Sequence, residues 1–152
     1  MVPEATAFSG TILALQALAS GSMCGLIWFV QLVHYPLFSH LEGEQAQKYS
    51  LDNQRRTPLV VIPLMLMEMV TAFCLAAWPP VSIGRGMAIV GVGMILVIWG
   101  STAGIQMPLH ARLEREGHPP ELVSKLVASN WLRTALWTAR AILAVWMMSV
   151  AG

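Results

Sequence analysis

The stretch Asn130-Trp-Leu-Arg133-Thr-Ala-Leu-Trp137-Thr-Ala-Arg140, with the uncharged run 141–150 behind it, decides how this chain folds. Residues three and four apart are neighbours on a helix, so Asn130, Arg133, Trp137 and Arg140 share one face. The uncharged run places the far end of that helix in lipid. Two arginines on the inward stripe of a membrane helix are costly unless they are paired or reach water. Partners for Arg133 and Arg140 must therefore come from elsewhere in the chain.

Composition agrees with a membrane setting. Hydrophobic residues make up 56% of the 152 positions and charged residues 11%, against about 25% charged in a soluble domain. The length is that of one domain, residues 1–152. A net charge of +1 provides no basic field for nucleic acid. Cys24 and Cys74 sit in apolar segments and read as packing residues, because two cysteines make no disulfide framework. Glu4 alone is charged before the first apolar run, so no cleavable signal peptide is expected.

Four spans follow from hydropathy, at about 10–33, 58–78, 87–107 and 131–151. In the first, Ala17, Gly21 and Gly25 repeat at four-residue spacing, the pattern of a close helix contact. Its inner end carries Gln31, His34 and Tyr35 before Pro36, which should bend or stop the helix. A polar connection over 39–57 reads as a short solvated helix supported by Glu44, Lys48 and Asp52. The second span holds Glu68, the one acidic residue in any span, and Pro63, which predicts a local kink. In the third, Gly93, Gly100 and Gly104 mark a packing face, and Gln106 and His110 lie one turn apart near its end. The second polar connection, about 109–130, is broken at His118-Pro119-Pro120 and leads amphipathically into the fourth span.

The two long connections hold Lys48, Arg55, Arg56, Arg112, Arg115 and Lys125, with Arg133 at their edge, and the opposite side holds Arg85. By the positive-inside rule both termini face out. The expected fold is an all-α, up-down-up-down four-helix bundle in a bacterial-type inner membrane.

Two constellations can carry chemistry. Glu68 and Arg140 each lie about ten residues into outward-running helices, roughly 15 Å deep at 1.5 Å per residue, so an ion pair inside the bundle is geometrically allowed. It reads either as a pair fixing register or as a proton- or anion-handling centre. His34, Gln31, His110, Gln106, Asn130 and Arg133 come from the inner ends of three spans and are expected to converge at one mouth. Histidine is the usual proton shuttle near neutral pH. Two well-placed histidines are too few for a closed zinc site, so no metal is expected. No cofactor is expected either, although haem with two axial histidines remains open by count.

Pro108-Leu-His110-Ala-Arg-Leu113, followed by Leu126-Val-Ala-Ser-Asn130-Trp-Leu-Arg133 opening the last helix, resembles the anthrone-oxygenase-like family of small four-helix membrane proteins. Pro108, Asn130 and Arg133 match its motifs. His110 stands where the family carries Asn, and Leu126 where it carries Trp. The resemblance implies oxidation of anthrones to anthraquinones without a known cofactor, although many bacterial members have no assigned function.

The leading expectation is a membrane oxidoreductase acting on a hydrophobic or aromatic substrate. His34 or His110 would be its general base, Arg133 would hold a developing oxyanion, and Gln31, Gln106, Asn130 and Trp137 would orient the substrate. The alternatives are a non-enzymatic accessory or scaffold protein and a small proton-coupled exporter. Lipid is the expected surrounding, and the size suits a homo-oligomer.

Overall fold

The computed structural model describes residues 2–151, with side chains from residue 8 onward; the Glu4 side chain lies outside the described residues. The chain is an antiparallel bundle of four helical rods, each long and apolar enough to cross a membrane. The first rod is α1 (Val2–Phe29), continued by a π-helical segment (Val30–His34) and a 3-10 segment (Pro36–His40). The second is α2 (Gly43–Ala77). The third joins α3 (Arg85–Ser101), a second π-helical segment (Thr102–Gln106) and α4 (Met107–Glu116), and the fourth is α5 (Pro120–Ala151).

Cross-bundle contacts fix the topology. Along α1, Leu13 clusters with Met147, Cys24 reaches Thr138 and Gln31 reaches Asn130, so α1 and α5 run in opposite directions. Gly91 meets Arg140 and Gln106 meets Ser129, which sets α3–α4 antiparallel to α5. Ser20 meets Glu68 and Gln16 meets Thr71, which does the same for α1 and α2.

The inward stripe is apolar in three tiers. Met23, Ile27, Met65, Ile95, Ile98 and Trp137 fill the middle. Tyr35, Phe38, Leu113 and Leu126 fill the end where the cations gather, here termed the basic end. Leu13, Leu75, Ile83 and Met147 fill the end nearer the termini. Large side chains such as Leu18, Leu59, Val70, Ile142 and Val145 point outward and are more than half exposed. At most 33% of the most apolar window of any rod is buried, an arrangement suited to lipid. Where lipid surrounds the rods, apolar burial between them adds little, and close packing and polar contacts hold them together.

Several local expectations change. Residues 43–57 do not form a separate solvated helix, because α2 continues without interruption from Gly43 to Ala77. Pro58 and Pro63 sit inside it without breaking it. The carbonyl freed by Pro63 belongs to Leu59, 75% exposed at the bundle surface, so no buried group is stranded. The second connection is also mostly helical: α4 reaches Glu116, and α5 starts at Pro120 after Gly117, whose φ of 75° ends α4.

The small-residue faces are reassigned as well. Gly21, Gly25, Gly93, Gly100 and Gly104 are not packed against a neighbouring rod, with nothing within 4 Å of a β-carbon built on any of them. The buried stripe of α1 instead runs through Gln16, Ser20, Met23, Ile27 and Gln31. Polar side chains, rather than glycines, draw α1 against its neighbours. In the third rod it is Gly91 that meets α5.

Candidate functional site

The two π-helical segments lie at the basic ends of the first and third rods, and they resemble each other locally. In the first, the Tyr35 amide bonds back five residues to the Val30 carbonyl at 3.0 Å, and Pro36 follows. In the second, the Met107 amide bonds the Thr102 carbonyl, and Pro108 follows. A proline ring clashes with the carbonyl four residues back, and a widened turn moves that carbonyl aside. Such turns concentrate at functional sites. Here they seat Gln31 and Gln106 in the bundle interior, with Tyr35 and His110 one turn further toward the basic end.

The two inward arginines of α5 have opposite surroundings. Arg140 is 2% exposed and fully engaged. Its Nε donates to Glu68 Oε1 at 2.5 Å, and its Nη1 donates to the Gly91 carbonyl. The Glu68 carboxylate also accepts from Ser20 Oγ at 2.7 Å and from Trp137 Nε1 at 2.9 Å. Gln16 Nε2 donates to Ser20 at 2.8 Å, and Gln16 Oε1 accepts from Thr71 at 2.7 Å. All four rods thus contribute to one satisfied network. A cavity of about 10 Å³ beside Gln16, Gly91 and Arg140 is close to the space of one water.

Arg133 is 6% exposed and has no carboxylate paired with it among the described residues. Its Nε lacks any hydrogen-bond partner among the described residues. The guanidinium lies over the Trp137 ring, 5.1 Å from the centroid, and faces the Tyr35 hydroxyl. That hydroxyl is 3.0 Å from His110 Nε2. Two buried acceptors on the same side of the bundle are also unpartnered, Asn130 Oδ1 and Gln106 Oε1. Their amide nitrogens are engaged, Asn130 with Gln31 Oε1 at 2.8 Å and Gln106 with Ser129 Oγ at 3.0 Å. Buried polar groups are nearly always paired, so these three free atoms are the ones in this part of the bundle open to a further polar partner.

The residues expected to converge therefore divide. Trp137 packs against the Arg133 guanidinium and His110 is linked to it through Tyr35, whereas Asn130 bonds Gln31 and Gln106 bonds Ser129. His34 is turned toward α2, with Nε2 3.0 Å from Asn53 Oδ1 and Nδ1 3.4 Å from the Tyr49 hydroxyl. The Phe38 ring packs edge-on against both His34 and His110. A ligand bound axially to His34 would have to displace its Asn53 or Tyr49 contact. Gln31 ties α1 to α5 by donating to the Val127 carbonyl at 3.1 Å and accepting from Asn130 and Thr134. No group of three or more His, Cys, Asp or Glu that could hold a metal occurs among the described residues.

Tyr35 and Ser129 are the members that sequence reasoning missed. The signal for Tyr35 was present: it shares a face with Gln31 and immediately precedes a proline at the end of a span.

No family model matches the chain, and no curated protein or solved structure matches it. The fold defines the class: a helical bundle of the integral membrane type, with an interior arginine that has no carboxylate partner among the described residues.

Proposed function

We propose that the protein is a membrane oxidoreductase of the oxygenase kind, acting on a lipophilic, weakly acidic aromatic substrate such as an anthrone. The site lies toward the cytoplasmic side of an inner (plasma) membrane of bacterial type, with both termini outside, as the excess of cations at the basic end supports. The observation carrying this reading is Arg133: a buried guanidinium without a carboxylate, next to a hydroxyl that is bonded to a histidine.

Such a cation stabilises negative charge that develops during reaction, without reorganising to do so. In the proposed sequence the Tyr35–His110 pair accepts a proton from the activated methylene, and Arg133 holds the resulting enolate oxygen. Dioxygen is the oxidant. The enolate carbon bonds one oxygen atom, and the proton returns to give a hydroperoxide. Loss of water from that hydroperoxide yields the new carbonyl. In sum, one methylene and one dioxygen become one carbonyl and one water; the carbon loses four electrons and dioxygen gains four. Asn130 and Gln106 offer their free carbonyl oxygens to substrate hydroxyls, and Trp137 provides an aromatic wall.

Purified protein supplied with anthrone and air is expected to consume one dioxygen per anthraquinone formed, above the rate with Arg133→Gln. Equal rates for the two proteins would overturn the proposal. A scaffold role has its own support, since Gln31–Asn130 and Gln106–Ser129 join rods directly. It predicts no turnover in the same assay. The exporter reading is weaker, because the Glu68 carboxylate is fully buried and already engaged by Ser20, Trp137 and Arg140.

A further inference from the structure

We propose that the outer groove between the third rod and α5, at the basic end, holds an anionic phospholipid. This goes beyond the proposed activity and does not depend on it. The groove is shallow and open, with a volume of about 640 Å³. Its walls are stripes at helical spacing: Gly104, Ile105, Pro108 and Leu109 on one side and Ala128 and Ser129 on the other. Arg112 and Lys125 line its outer end. Because Gln106 meets Ser129 and the two rods are antiparallel, Arg112 and Lys125 stand at about the same level across the gap.

The charge pattern identifies the occupant. Two cations border one groove, and one carboxylate serves them: Glu116 binds Arg112 at 2.9 Å. Lys125 pairs with no carboxylate among the described residues, and Glu121, one turn before it, is exposed and not engaged with it. Like charges brought together around a groove leave a net positive site, and a phosphate bordered by both removes the excess. Below that level the lining is apolar apart from Ser129 for two helical turns, about 12 Å at 1.5 Å per residue. A free phosphate would leave this part unfilled, whereas a lipid places its phosphate between the cations and an acyl chain along Ile105, Pro108 and Leu109. Basic residues next to a span recruit anionic lipids in this way. Ser129, on the groove wall, is held by the Gln106 amide at 3.0 Å, and Arg133 is not part of the lining.

The test is native mass spectrometry of the detergent-solubilised protein titrated with phosphatidylglycerol, phosphatidylcholine or inorganic phosphate. Wild type is expected to retain phosphatidylglycerol in preference to phosphatidylcholine and to retain no phosphate. Each of Arg112→Gln and Lys125→Gln should weaken phosphatidylglycerol binding roughly five-fold. Neither side chain is part of the buried core, so folding is retained. Ala128→Trp fills the groove without altering charge and should abolish the same adduct, while Lys48→Gln, elsewhere at the basic end, should leave it unchanged. Equal retention of the two lipids, equal weakening by Lys48→Gln, binding of phosphate alone, or an adduct that survives Ala128→Trp would each overturn the assignment.

Discussion

Glu68 and Arg140 meet at 2.5 Å with their side chains 0% and 2% exposed, in the middle of the bundle and far from either polar end. A buried ion pair is weak evidence for stability in itself, because desolvation offsets most of the attraction. Removing one partner is different, since the other charge remains buried and uncompensated. Glu68→Gln keeps one acceptor oxygen, enough for Ser20 or Trp137 but not both, and withdraws the countercharge from Arg140. We expect it to cost about 3–5 kcal/mol, read as a lowered melting temperature in detergent. The double substitution Glu68→Met with Arg140→Met should recover much of that loss; a double variant as unstable as the single would show that the pair stabilises beyond charge neutrality.

Seven residues earlier on the same face, Arg133 should behave in the opposite way. Its Nε has no partner among the described residues and no carboxylate pairs with it, so replacing it gives up the Tyr35 and Trp137 contacts but strands no charge. Arg133→Met is expected to leave stability within about 1 kcal/mol of wild type, while turnover of anthrone is lost. Arg140→Met should destabilise by several times as much, since it strands Glu68. The check is a melting curve and an oxygen-uptake trace for each variant. Matching stability losses at the two positions would mean that Arg133 has a structural partner.

This asymmetry bounds what the sequence makes legible. That the chain has four rods able to span a membrane, and that Glu68 and Arg140 lie at one depth, follows from hydropathy and helical rise. Which arginine would be satisfied does not, because the deciding groups are Ser20, Gln16 and the Gly91 carbonyl. Two are small or neutral side chains that resemble many others, and one is backbone. The glycine patterns misled for a related reason. Spacing says that residues share a face without saying whether that face meets a helix or lipid, and in α1 the polar Gln16–Ser20–Gln31 stripe turned inward instead. The widened turns were half visible. Pro36 announced a disturbance and Pro108 did not, while Pro63, where a kink was expected, leaves α2 intact.

Tyr35 links Arg133 to His110, with its hydroxyl facing the guanidinium and 3.0 Å from His110 Nε2; under the proposed function this pair takes the substrate proton. Tyr35→Phe keeps the ring packed against Phe38 and removes only that oxygen. Loss of a positioned proton-transfer group should lower turnover on the order of 100-fold. The fold should lose roughly 1 kcal/mol for the deleted hydrogen bond. Steady-state oxygen uptake with anthrone, set beside thermal melting, separates the two effects. Turnover unchanged in Tyr35→Phe would place proton transfer elsewhere.

His118 provides a pH test of the basic end. It lies in the break between α4 and α5, with Nε2 2.8 Å from Ser50 Oγ and Nδ1 donating to the Phe38 carbonyl at 2.9 Å, and its ring stacks on Phe38. Burial pulls its pKa below the ordinary 6.5, opposed by the bond to the Phe38 carbonyl. The folded protein therefore resists protonation that the unfolded chain accepts. Between the two pKa values the unfolded state binds more protons, so stability rises with pH there. Above 6.5 both states hold neutral histidine and the contribution is level; as pH falls below 6.5 toward the folded value it is progressively lost. Melting in detergent over roughly pH 5 to 8 should show this loss in wild type. His118→Gln, which can still engage Ser50, should flatten the part of the slope that His118 contributes. A slope identical in the two proteins would assign the pH response to another group.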